Sequence, residues 1–174
     1  MNHIKPNGRI KTMNEITLKE AQVLTSPNPF ALIASNKPDG GTNLMAVSWW
    51  TYVSNRPPMV AFSLSQKGYT GECLAADGAL ALCIPDSSLA EAAFRCGTAS
   101  GRNEDKVAAS GIALKQLKDG FPPAVENSQI VMLCRVEQTV PAGDHTLHLA
   151  QVEAVYGDES KQGLKSYEGY RYLK

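Results

Sequence analysis

Hydrophobic positions along this chain come in short bursts broken by Gly, Pro, Asn and Asp, the rhythm of many strands with brief helices between them. Residues 1–15 are polar and carry Pro6 and Gly8, which predicts a loose arm ahead of a single domain over 16–174. Thr17-Leu-Lys-Glu20 has capping-box spacing and predicts a short helix through Ala21, Val23 and Leu24, stopped by Pro27 and Pro29. An apolar strand over 30–35 runs into Asn36-Lys-Pro-Asp-Gly-Gly41, a hairpin signal centred on Asp39-Gly40, with 43–50 as the returning strand. Further strands are expected over 59–65, 78–84, 112–117, 130–138 and 146–156. Three short helices are expected between them: 70–76 capped by Thr70, a second opened by the box Ser88-Leu-Ala-Glu91, and 104–110 capped by Asn103 and closed by Gly111. Short strands with few helices predict a mainly β domain, a closed or nearly closed antiparallel barrel. Alternating βαβ units and GxGxxG are both absent, which excludes a Rossmann reading.

Composition narrows the function classes. The chain has 174 residues, with 17 basic and 17 acidic side chains and a net charge of zero. That balance removes the global electrostatic case for nucleic acid or a polybasic membrane contact, so any anion site must be local. Cys73, Cys83, Cys96 and Cys134 show no CxxC spacing, and His3, His145 and His148 add no ligand cluster, so no metal is expected. Scattered cysteines of this kind fit small buried hydrophobes in a reducing compartment, and no apolar run approaches the ~20 residues of a membrane span. A cytoplasmic protein is expected.

Four segments carry more polar and small residues than a plain barrel needs. Asn43 and Ser48 interrupt the apolar strand that ends at Trp49 and Trp50. Ser63 and Ser65 share one strand face ahead of Lys67 and a helix start at Tyr69-Thr70, where free N–H groups suit a phosphate. A capped helix after a strand with one solvated face fits the same residues. Cys96-Gly-Thr-Ala-Ser-Gly-Arg102 is a small-residue loop followed by Asp105 and Lys106. It offers close backbone approach and two cations, or simply a solvated helix-to-helix loop. Gly143-Asp-His145 reads as a strand turn, with His145 either solvated or set at a barrel rim and oriented by Asp144. Tyr167, Tyr170 and Tyr172 fit a cluster that packs the tail. No nucleophile elbow, HExxH or Walker loop stands out, which makes a bound organic cofactor the source of any reactivity.

Taken in order, these runs resemble the flavin reductase-like family of FMN-binding split barrels, and its flavoredoxin-type branch in particular. The resemblance is carried by Pro29-Phe-Ala-Leu-Ile-Ala-Ser35, Asn43-Leu-Met-Ala-Val-Ser-Trp49, Val53-Ser-Asn-Arg-Pro-Pro58, Phe62-Ser-Leu-Ser65, Tyr69-Thr70, the run from Cys96 to Arg102 with Asp105-Lys106, and Gly143-Asp-His145. It implies an antiparallel split barrel with short helical inserts, working as a homodimer with FMN in a groove near the interface. By resemblance, Asn43, Met45, Ala46, Val47, Ser48 and Trp49 lie along the flavin ring. Ser63, Leu64, Ser65, Tyr69 and Thr70 approach the ribityl chain and phosphate, and Ser100, Gly101, Arg102 and Lys106 form a loop that also meets the flavin. His145 matches the histidine that contacts the nicotinamide in NAD(P)H-using members. After it the family commonly continues with an apolar pair and Gly-Glu-Val, whereas this chain reads Thr-Leu-His-Leu-Ala-Gln-Val152. The implied activity is hydride transfer from NAD(P)H to FMN, with electrons passed on to a flavin, metal or protein acceptor. The alternatives are an FMN-binding carrier or sensor without NAD(P)H activity, and a barrel that has lost its flavin.

Overall fold

A computed structural model describes residues 15–174; the expected arm over 1–15 falls, except for Glu15, outside the described residues. Helix α1 (Leu18–Leu24) starts at the expected capping box, with Glu20 N–H donating to Thr17 Oγ1 at 3.2 Å and Thr17 N–H to Glu20 Oε2 at 2.8 Å. Seven strands make the main sheet: β1 (Ala31–Asn36), β2 (Thr42–Val47), β3 (Trp50–Asn55), β4 (Pro58–Ser65), β5 (Ala79–Pro85), β6 (Ser128–Ala142) and β7 (His145–Gly157). Their order is β2-β1-β5-β6-β7-β4-β3, antiparallel throughout. The hairpin between β1 and β2 turns where expected, with Gly40 and Gly41 at φ +98° and +83°, a region that L side chains avoid.

The sheet's two edge strands, β2 and β3, are joined by Ser48 and Trp49 alone. The opposite edges of a seven-stranded sheet can be linked by two residues only if the sheet rolls until they meet there and part beyond the link. This is the geometry of a split barrel. The interior is filled by Ile33, Val60, Phe62, Leu64, Leu80, Leu82 and Met132, all fully buried or nearly so. A second apolar layer, including Phe30, Leu32, Leu44, Ala81 and Leu133, lies on the outside of the sheet. There α3 (Ala90–Thr98), α4 (Lys106–Ser110) and the C-terminal segment cover it. Tyr170 packs that segment down, stacked on Phe94 with ring centroids 5.2 Å apart and on Phe30 at 5.9 Å. Tyr167 stacks instead on Tyr172. All four cysteines are buried free thiols, and burial pushes Cys83 and Cys134 up to about 12.

Helix starts depart from expectation. Helix α2 (Tyr69–Asp77) begins after Gly68, which offers no side-chain cap, while Thr70 is turned inward and buried. Asp86, not Ser88, caps the 3-10 turn that leads into α3. Asp105, not Asn103, caps α4, accepting from the N–H groups of Val107 and Ala108. The expected strand over 112–117 shrinks to Leu114–Lys115, paired with Ala124–Val125. The strand over 43–50 breaks at Ser48 and Trp49, because the chain crosses there from one sheet edge to the other.

Candidate functional site

Helix α2 sits across one end of the barrel and brings distant polar residues together. Asn43, 2% exposed, donates from Nδ2 to Thr70 Oγ1 at 3.0 Å and to Ser35 Oγ at 3.5 Å. Its Oδ1 is buried and has no hydrogen-bond partner among the described residues. A Cβ built on Gly101 would fall 2.1 Å from that oxygen and 3.1 Å from the Tyr69 ring. Glycine is therefore what lets the 100–103 loop close over Asn43 and Tyr69. The Thr70 hydroxyl, expected to cap the first turn of this helix, instead accepts from Asn43.

Outside this buried knot, the first N–H groups of α2 have no side-chain cap and Arg102 arches over them. Its guanidinium lies 5.5 Å from the Tyr69 ring centroid, donates to Lys67 O at 3.1 Å and pairs with Glu72. Ser100 Oγ accepts from Arg102 N–H at 3.3 Å, and this holds the loop's turn. A cavity of about 490 Å³ opens here, bounded by Lys37, Tyr69 and Arg102 together with the carboxylates of Asp39, Glu104 and Asp105. Lys106 is not part of it. The expected second cation of the loop is 4% exposed, and its Nζ donates to Cys96 O at 3.1 Å and Ala99 O at 3.2 Å. Desolvation depresses its pKa, and its charge is used to hold the carbonyls at the end of α3.

The outer face of β4 and β7 carries the other cluster. His145 is paired with Ser65 and Leu147 with Ser63 across the two strands, and Ser63 N–H donates to Trp49 O at 2.9 Å. The Trp49 and His145 rings lie 4.9 Å apart. Asp144 Oδ1 is 2.7 Å from His145 Nδ1, and that hydrogen bond, with the neighbouring charge, holds the Asp144 carboxyl below its usual range. Gln66 ties the turn down: its N–H donates to Asp144 O at 3.1 Å, and its Nε2 to Gly143 O at 3.1 Å and His145 O at 3.4 Å. Of the strand residues expected along a ring, Met45 and Val47 pack toward the interior and Ala46 toward the outer layer, so Ser48 and Trp49 lead the surface. Leu64 is 2% exposed and faces inward. Buried this way, Val47 and Leu64 can meet a ligand outside the barrel only through main-chain atoms.

Ser63 and Ser65 bridge the two clusters. From them the chain runs directly to Lys67 O, which holds Arg102, and on to the start of α2. Ser35, Gln66, Glu72 and His148 were not singled out by sequence reasoning. Gln66, Glu72 and the Phe62-stacked ring of His148 depend on partners far away in the chain, for which no local pattern exists. Among the described residues, no group of three His, Cys, Asp or Glu side chains assembles to hold a metal, and no helix is long and apolar enough to cross a membrane.

The chain has relatives of known sequence and structure. A relative from Archaeoglobus fulgidus, described only as an uncharacterized protein, is 27% identical over 122 residues, covering 70% of this chain and 69% of its own. A flavin reductase of Pseudomonas putida is 26% identical over 144 residues, covering 82% and 81%. The crystal structure of flavoredoxin from Methanosarcina acetivorans superposes with a TM-score of 0.83 at 22% identity, covering 94% of this chain and 90% of that one, which establishes a shared fold. The flavin reductase like domain model matches residues 23–174, almost the whole described chain. This chain belongs to the flavin reductase-like domain family.

Proposed function

We propose that this protein is an FMN-binding oxidoreductase that takes electrons from NAD(P)H and delivers them to a further acceptor. The observation that carries this reading is the continuous path along the end of β4. It joins an uncapped helix N-terminus under a guanidinium to an exposed Trp49 packed against the half-buried His145 ring. The first end suits a phosphate, since free N–H groups and a planar cation converge there. The second suits flat rings. A flavin mononucleotide has this division of charge and ring. The donor set fits it: main-chain N–H groups at Tyr69 and Thr70, the Ser100–Gly101 loop, Arg102, and the hydroxyls of Ser63 and Ser65 between the ends.

When bound, the flavin supplies the electron-transfer chemistry. The chain's own residues bind and orient. Arg102 would exchange its Glu72 partner for the phosphate, Trp49 and Ser48 would border the ring, and His145 would contact the nicotinamide. Asp144 keeps the imidazole turned, and Gln66 keeps the turn bearing both in register with β4. Alignment is the main contribution, because holding reactants at about 3–3.5 Å replaces an encounter by an intramolecular step. The outer face of β3, β4 and β7, where Trp49 is 51% and Val53 48% exposed, would be covered by a second copy of the chain, giving a homodimer. We read the protein as cytoplasmic.

Two measurements test this reading. Calorimetric titration should give tighter binding of FMN than of riboflavin, and Arg102→Ala should remove most of that difference, about 1–3 kcal/mol for a charge-assisted hydrogen bond. Equal affinities would overturn the phosphate assignment. Stopped-flow reduction of FMN-loaded protein by NADH or NADPH should slow roughly 10- to 150-fold in His145→Ala, the effect of about 1.4–3 kcal/mol of lost positioning, with FMN affinity kept. Absence of reduction in the unmutated protein would favour a flavin carrier or sensor.

A further inference from the structure

A second cavity, of about 340 Å³, lies between α2 and the wall formed by β4, β6 and β7. It is separate from the Arg102 site. Gly68, Gly71, Glu72 and Ala75 border it, whereas Thr70 and Cys73 point from the opposite face of α2 toward Ser35 and Asn43. Its volume falls in the range of small-molecule sites.

Two costs accepted by the chain converge on this space. Gly71 stands in the first turn of α2, where glycine still forgoes alanine's helix propensity, yet a Cβ there would meet no atom within 4 Å. No steric demand explains the glycine; its effect is to leave the volume open. The opposite wall holds His148, a titratable side chain only 4% exposed, stacked flat on Phe62 at 5.1 Å with the planes 5° apart. His148 Nδ1 lies 3.0 Å from Thr146 O. A carbonyl can only accept, so Nδ1 carries the proton, and burial keeps the ring neutral. Nε2 is then an acceptor with no protein partner among the described residues. Leu64, Leu74 and Val136 supply apolar walls, and an accepting Nε2 disfavours a carboxylate, which can only accept.

We propose that this cavity is a second ligand site, taking a small neutral molecule with an apolar ring and one hydroxyl that donates to His148 Nε2. Rigid stacking and the Thr146 bond fix the acceptor, the walls exclude water from the ring, and the ligand enters without competing for the phosphate-suited site. The inference does not need the flavin reading: it rests on His148 and Gly71, which that groove does not use, although Ser65, Gln66 and Glu72 border both.

The probe is 2-naphthol, followed by its own fluorescence, with naphthalene and 2-naphthoate as competitors, in FMN-free and FMN-supplemented protein. One naphthol per chain should bind equally in both. Naphthalene should displace it with about five- to tenfold weaker affinity, the effect of one neutral hydrogen bond, and naphthoate should not displace it. His148→Phe should erase the preference for naphthol over naphthalene. Gly71→Leu should block both while raising or preserving the thermal midpoint. In the unmutated protein, the 15N resonance of His148 Nε2 should move with naphthol and not with naphthalene. Failure of the unmutated protein to bind would overturn the proposal. So would displacement of naphthol by FMN, binding that survives Gly71→Leu, or a His148 resonance that does not move.

Discussion

Single atoms decide much of what this molecule can do, and Gly101 and His148 are the sharpest cases. A methyl group on Gly101 would overlap Asn43 Oδ1, so Gly101→Ala must push the loop outward or turn the Asn43 amide away from Thr70. Overpacking of this kind costs about 1–3 kcal/mol. Urea unfolding should show that loss, and FMN titration should show weaker binding because Arg102 rides on the same loop. His148 gives a pH signature. Its pKa is lowered by burial, so below about pH 6.5 the unfolded chain takes up a proton that the folded protein refuses. Folding stability from this residue is therefore full above that range and falls as the pH drops, by at most about 1.4 kcal/mol per pH unit. Denaturant melts from pH 7.5 to 5 should show a shallower acid decline in His148→Phe than in the unmutated protein. Identical slopes would mean that the ring is protonated when folded.

Among the elements, the turn between β6 and β7 depends on a residue from a different strand end. Gln66 leaves β4 and grips Gly143, Asp144 and His145, so the position of the imidazole is set across 77 residues of sequence for its Gly143 bond. Gln66→Ala should leave FMN affinity within about twofold but raise the KM for the nicotinamide donor several-fold, with a smaller change in kcat. Steady-state kinetics would separate this from a general loss of fold, which would lower FMN affinity as well. The same scale shows why helix starts were misread. Thr70, Ser88 and Asn103 all have cap-forming side chains, but tertiary packing drew Thr70 into the Asn43 knot, and nearby aspartates took the other two roles. Carboxylates are the better acceptors where either will reach.

At the level of the whole molecule, the rolled sheet has a helical layer on one outer side only. The uncovered side presents Trp49 and Val53 at 51 and 48% exposure, more apolar surface than a solvated strand face needs. Light scattering of the FMN-loaded protein should give a dimer of about twice the 18.7 kDa chain mass. Trp49→Glu should shift it toward monomer and weaken FMN binding in step, since both would lose the same wall. A monomeric unmutated protein would leave Trp49 exposed in solution and contradict the dimer.

The sequence by itself determined six of the seven main-sheet strands, though not β3, and with them the β1–β2 hairpin, the α1 capping box and the family. These are local facts: alternation, turn residues with positive φ, cap spacing and ordered runs lie within a few residues of one another. Only the tertiary structure decided which polar residues face which partner. Lys106 and Arg102 are neighbours in sequence, yet one ammonium is sealed against the carbonyls of α3 while the other cation stays over Tyr69. His145 and His148 sit three positions apart on one strand, yet the pleat sends the first to the outer face beside Trp49 and the second inward onto Phe62. The sign of that alternation depends on which face of β7 meets the core. That choice is made by long-range pairing with β4 and β6, through burial energies that no short window of sequence contains.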